Sequence, residues 1–304
     1  MFEYEEMWSG LAIDEIGRAK ICIMGVPFDG GASLGKGASQ APRTIRLLTA
    51  EGMPEATEDR TVLQEALIYD AGDVRPSLNW EQYYHEVENK AYELLKADRF
   101  CLFIGGDHSV SIPLQKAFAT HHRKKKEGKL GIIHLDAHPD LCDNFDGHKW
   151  SHANTEARAL EQIISPRDLC FAGVRAFEEE EIAVLESHPE IGVYTAQQVN
   201  RDGVLSISDK IINQFETYDA IYLTLDIDVL DPAFAPGTGT PVSGGLTSRE
   251  LIELAKTIIA SLPVKAMDIV EVSPPLDVND ITSWAAIRIM HEVFGHFSNQ
   301  AEIK

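Results

Sequence analysis

The sequence predicts an α/β protein whose mostly parallel sheet carries helices on both faces. Three observations lead there. Short apolar or β-branched runs alternate with longer amphipathic ones along the chain, the pattern of successive βαβ units. No linker, low-complexity segment or internal repeat interrupts the alternation, so residues 1–304 read as a single domain. Ionisable residues also gather just beyond several apolar runs, where sheets of this kind bind their ligands.

The strand candidates, in order, are 20–25, 66–70, 101–104, 130–136, 168–174, 191–194, 220–226 and 264–271. Each is a short run such as "ICIMG", "CLFI" or "IYLTLD", apolar enough to be buried on both faces. The helix candidates between and after them are 42–50, 80–97, 109–127, 155–164, 178–187, 203–216, 247–260 and 281–296. They are longer and polar on one side. "LTSREL" adds a start signal, with Thr247 three residues before Glu250 in a capping box. "HHRKKKEGK", 121–129, reads as the solvated end of a helix. His291 and His296 read as ordinary packing or surface residues within the last one.

Composition narrows the function. The formal charge is −21, from 48 acidic against 27 basic residues, which argues against binding to nucleic acid or to a phosphate surface. A hydrophobic content of 44% is ordinary for a soluble protein with a real core. Cys22, Cys101, Cys142 and Cys170 form no CxxC pair and read as reduced thiols in a cytoplasmic protein. "MFEYEEMWSG" lacks the basic region of a signal peptide, and no run is long enough to span a membrane.

The chemistry sits at three strand ends. "HLDAHPDL", 134–141, places Asp136, His138 and Asp140 on alternate residues, which in an extended chain share one face. "LTLDIDVLDP" repeats the spacing with Asp226 and Asp228, and "FIGGDHSV" sets His108 just past a Gly-Gly turn. Clustered carboxylates need a cation to offset their repulsion. Two imidazoles and four carboxylates fit poorly to one zinc ion and better to two divalent ions of the manganese type. Such a pair activates a shared water for hydrolysis.

These residues also carry a resemblance. "GGDHS", "LDAHPD" and "TLDIDVLDPAFAPGTGTPVSGG" resemble the three signatures of the ureohydrolases, the arginase and agmatinase family. So do "GVPFDGGASLGKGASQAPRTIR", "DAGDV", "AGVRAFE" and "DIVEVSPPLD", and the likeness spans nearly the whole chain. It implies a three-layer α/β/α fold around an eight-stranded parallel sheet, and homo-oligomers, as trimers or hexamers. By the same resemblance His108, Asp136, Asp140 and Asp226 hold one Mn2+ ion. Asp136, His138, Asp226 and Asp228 hold a second, with Asp136 and Asp226 bridging. Asp140 counts with His152 and Glu271 as catalytic. His152, in "WSHANTE", matches a mobile histidine that protonates the departing amine, and Glu271 matches a carboxylate that grips a guanidinium. The implied reaction cleaves a guanidino group to urea and an amine.

Substrate choice depends on the loop after the second signature. Arginases place an Asn two residues beyond the last Asp of DAHxD, and this chain has Cys142, a poor partner for a carboxylate. Asp143 and Asp146 make the loop acidic, which suits a substrate whose far end is an amine. The loops are more similar to those of agmatinases, so agmatine, giving putrescine and urea, is expected. Guanidinobutyrate, free guanidine and arginine are the alternative substrates. A deacetylase or a phosphoesterase fits less well, because the one would use a single zinc and the other a phosphate cradle that is missing here. His148, in the same loop, could reach a substrate but reads more readily as an ordinary loop residue.

Overall fold

The computed structural model describes residues 4–126 and 128–299. All eight expected strands form: β1 Ile21–Gly25, β2 Ile68–Asp73, β3 Phe100–Ile104, β4 Leu130–Leu135, β5 Leu169–Ala172, β6 Gly192–Tyr194, β7 Ala220–Asp226 and β8 Val264–Val270. They pair in one sheet in the order β2-β1-β3-β8-β7-β4-β5-β6. Every pairing is parallel, so the sheet is wholly rather than mostly parallel.

The helices are α1 Ala41–Glu51, α2 Trp80–Leu95, α3 Ser111–Lys124, α4 Thr155–Gln162, α5 Glu179–Ser187, α6 Ala196–Asp202, α7 Val204–Phe215, α8 Ser248–Ser261 and α9 Ile281–Ser298. The pattern did not foresee α6. Its signal was present, since Thr195 and Gln198 cap each other reciprocally. Gly203, at φ 85°, then separates α6 from α7 in a conformation that glycine adopts without strain. Thr247 and Glu250 form the expected box at the start of α8.

Alternate residues of each strand enter opposite cores, as the pleat requires. Ile21 and Ile23 of β1 join Ile45 of α1, Ile211 of α7, Ile258 of α8 and Phe294 of α9. Cys22 and Met24 join Tyr83 and Val87 of α2, Phe118 of α3 and Ala159 of α4. Two cores on one sheet give three layers. The central four strands, β3, β8, β7 and β4, lie side by side, and at or just past their ends stand His108, Glu271, Asp226–Asp228 and Asp136–Asp140.

Candidate metal centre

The site residues stand on turns just beyond the strands. This corrects one expectation: β4 ends at Leu135, so Asp136, His138 and Asp140 do not share a face by strand alternation. They converge because the chain coils. The His138 N–H donates to Asp136 Oδ1 at 2.6 Å, and Asp140 lies in the left-handed region at φ 53°. The same turn recurs after β7, where the Asp228 N–H donates to Asp226 Oδ1 at 2.8 Å. Glu271 also has a left-handed φ, 61°. Such backbone is costly for residues with side chains and collects at functional sites.

His108 Nδ1 lies 2.9 Å from Asp136 Oδ2, 3.1 Å from Asp140 Oδ2 and 3.3 Å from Asp226 Oδ2. His138 Nδ1 lies 3.2 Å from Asp228 Oδ2 and 3.4 Å from Asp136 Oδ1. All six residues expected to hold metal are therefore brought together, with Asp136 between the two imidazoles. Among the described residues, His108 Nδ1, Asp136 Oδ2 and Asp140 Oδ2 are buried without hydrogen-bond partners. Buried polar atoms are normally satisfied. Three that face one point, one nitrogen and two carboxylate oxygens, fit a divalent ion.

Electrostatics point the same way. Burial and then the charges of Asp228 and Asp136 push the Asp226 carboxyl well above the usual range. Burial alone would lower His108, but Asp136, Asp140 and Asp226 raise it well above an ordinary histidine. Crowding of this kind is what a bound cation relieves. The His108 ring is fixed from behind: Nε2 is 2.8 Å from Thr224 Oγ1, whose hydroxyl donates to Asp268 at 2.7 Å. Thr224 then accepts from Nε2–H, which leaves the Nδ1 lone pair toward the carboxylates.

One residue of the cluster escaped the sequence reading. His134 is fully buried beside His108, with rings stacked 4.8 Å apart, and its position falls within the same potential metal cluster. Both of its nitrogens are already engaged. Nδ1 faces Glu156 at 3.0 Å, and Nε2 faces Asp136 Oδ2 at 3.0 Å and the His138 carbonyl at 3.1 Å. Burial opposes its charge, yet Asp136 and Glu156 push its pKa up to about 10. Its hydrogen bonds go to Glu156 and to the His138 carbonyl, and its closeness to Asp136 is electrostatic. An imidazole two residues before an Asp in an otherwise apolar strand was the available signal.

Glu271 and His152 face each other beside this cluster. Glu271 Oε1 accepts from the His108 N–H at 2.9 Å and lies 3.5 Å from His152 Nδ1. His152 Nε2 is 2.9 Å from Ser33 Oγ, and its N–H donates to the Gly31 carbonyl at 3.3 Å. Burial would lower this imidazole, but Glu271, then Asp140 and Asp107, push it up to about 9. The loop that carries Gly31 is anchored by Asp107, which accepts from the Gly31 N–H at 2.7 Å. The approach is tight, because a Cβ on Gly106 would stand 1.6 Å from the Phe28 carbonyl oxygen.

The acidic-loop expectation needs correction. Asp143 is exposed and paired with Lys149 at 2.9 Å and Arg158 at 2.6 Å. Its charge is committed. Asp146 and Gly147, at φ 51° and 83°, form the tip of a hairpin closed by reciprocal Phe145–His148 backbone bonds. Asp146 and His148 are exposed on that tip. The Phe145 ring lies 6.1 Å from that of His152, edge-on. With Cys142 and Glu178–Glu180 it lines a cavity of about 500 Å³.

The profile of the arginase family matches residues 19–295. The agmatinase of Bacillus cereus is 36% identical over 279 residues, which cover 90% of this chain and 91% of that protein. The proclavaminate amidinohydrolase of Streptomyces clavuligerus is 32% identical, covering 91% and 88%. Among solved structures, the formimidoylglutamase of Bacillus subtilis superposes with a TM-score of 0.87 at 28% identity, covering 99% and 95%.

Proposed function

Because the chain belongs to the arginase family, we propose that it is a dimanganese hydrolase that cleaves agmatine to putrescine and urea. The observation that carries the reading is the set of partnerless buried atoms on His108, Asp136 and Asp140 beside the Glu271–His152 pair. His108, Asp136, Asp140 and Asp226 would hold one ion, and Asp136, His138, Asp226 and Asp228 the other. When bound, two such ions lower the pKa of a shared water and make it nucleophilic at neutral pH.

The protein's own groups do the rest. Glu271 offers its free carboxylate oxygen to the planar guanidinium and holds its carbon over the cluster. A C–O bond forms and the C–N bond to the alkyl amine breaks. His152, protonated at neutral pH because its pKa stands near 9, gives its Nδ1 or Nε2 proton to the departing nitrogen. Ser33 keeps the ring in place while it waits.

For the far end of the substrate, Glu178, Glu179 and Glu180 replace the loop aspartates as the acidic group. They line the cavity beside Phe145, and no Lys or Arg lines it among the described residues. An ammonium is favoured there and a carboxylate repelled. The relatives' names span several amidino substrates, so membership alone does not select one. A urea-release assay with added manganese and a panel of agmatine, arginine, 4-guanidinobutyrate and guanidine tests the choice. Agmatine should give the highest kcat/KM, and a preference for guanidinobutyrate or guanidine would overturn it. We also take residues 1–304 as one catalytic domain, assembled as trimers or hexamers in the cytoplasm. The four buried thiols fit a reducing compartment. No described helix is long and apolar enough to cross a membrane.

A further inference from the structure

The opposite end of the sheet holds a cavity of about 630 Å³ that the proposed chemistry does not use. It lies at the amino-terminal ends of β1, β3 and β8, between α3, α8 and α9. With strands of five to seven residues, it is roughly 20 Å from the metal ligands. In a chain of net charge −21, its lining is basic. Arg18, Arg99 and Lys265 face it; Lys20 and Lys125 also line it but are already bonded, Lys20 to the Ser298 carbonyl at 3.0 Å, and the single described carboxylate is Asp98. That carboxylate is already bonded to Lys125 at 2.7 Å and His121 at 3.2 Å. "HHRKKKEGK" is therefore only partly a solvated helix end. His121 and His122 are buried against this cavity and Lys125 opens onto it. His296 lines it as well.

Arg99 is the most telling member. One terminal N–H donates to the Gly17 carbonyl at 2.8 Å, while its buried Nε–H has no acceptor among the described residues. A buried charged donor without an acceptor is costly, and the guanidinium's other N–H groups are available to donate to an anion in the cavity. The other wall is apolar, built from Leu67, Leu95, Leu262 and Phe297. The volume lies in the range of small-molecule sites.

We propose that this cavity is a binding site for a polyphosphate-bearing small molecule, whose anionic groups meet Arg18, Arg99 and Lys265. Inorganic polyphosphate and a nucleoside diphosphate share that chemistry, and the apolar wall would add contacts only for the second. Calorimetric titration of the manganese-loaded protein, freed of excess metal, with tripolyphosphate and with ADP separates them. Either should bind with an affinity that falls as salt rises, and ADP more tightly if the apolar wall takes the nucleoside. Arg18→Ser combined with Lys265→Ser removes two exposed charges and should weaken binding at least about tenfold with unchanged metal content and melting temperature. Arg99→Gln should weaken it further.

Phosphates also bind divalent ions, so Asp136→Asn is the control. Binding that survives the Arg18/Lys265 pair of changes but vanishes in Asp136→Asn would belong to the metal centre and overturn the proposal. So would the absence of heat with both probes. Binding that is retained in Asp136→Asn and lost in the charge-deleted protein would establish it.

Discussion

Two residues decide the metal centre more than the others. Asp136 offers Oδ2 to the His108 side and Oδ1 to the His138 side, and Asp226 faces both His108 and Asp228. In the proposed ligand set, replacing either by Asn would leave two bound cations without a shared anion. Metal analysis of Asp136→Asn or Asp226→Asn should show both ions lost, and full occupancy in both variants would refute the bridging assignment. His152 makes the contrasting case. Its partners are Ser33, Glu271 and the Gly31 carbonyl rather than the cluster. His152→Asn should keep near-normal metal content while turnover falls about 10²–10⁴-fold. Metal loss in that variant would move the histidine into the coordination sphere.

At the level of elements, the turns after the strands carry the burden, and Arg175 holds the longest of them. Its guanidinium donates to the carbonyls of Gly173, Asp228, Val229, Leu230 and Val242. That ties the loop after β5 to both ends of the segment from β7 to α8. A single residue thereby satisfies several buried acceptors and fixes the turn that bears Asp228. Arg175→Met should cost about 3 kcal/mol or more in urea unfolding, because a few buried carbonyls lose their donor together. It should also loosen an ion at the proposed His138–Asp228 position more than one at the His108 position. Equal retention of both ions at wild-type stability would mean the loop holds its shape without the arginine.

Across the whole molecule, the crowding of ionisable groups makes stability depend on metal and pH together. Burial and the Glu271 charge push Asp107 up to about 7, and burial pushes Glu181 to about 7. His152, held by Glu271, stands near 9. Each raised pKa means that the folded chain binds its proton more tightly than the unfolded one. The stability so gained is complete below the unfolded values, about 4 for carboxyls and 6.5 for histidine. It is lost as pH rises through 7 and then 9. Chelated protein should therefore melt at progressively lower temperature between pH 6 and pH 9. Manganese at a hundred times its dissociation constant should restore about 2.7 kcal/mol per site. The gain should be larger at the alkaline end, where ligands need not lose protons first. Parallel melting curves with and without metal would contradict this.

The eight strands, every helix but α6 and the six clustering residues were legible because their signals are local. A buried strand needs a short apolar run, and polar residues placed just past it have few structural reasons to be there. Thr247 with Glu250 announced a helix start by the same kind of short-range chemistry. What escaped was the state of individual side chains whose partners stand elsewhere in the chain. Asp143 looked available for a substrate until Arg158, fifteen residues on, was seen to hold it. His134 looked like strand filling until Glu156 and Asp136 gave it a charge. The basic cavity draws on residues from Gly17 to Phe297, and none of its contributing stretches is distinctive alone. The sequence by itself determined which elements form and which side chains stand at their ends, since short-range sterics and hydrogen bonding specify both. Which charges are neutralised and which face open space was decided only by tertiary structure, because electrostatic energies are set by distance in space and by burial.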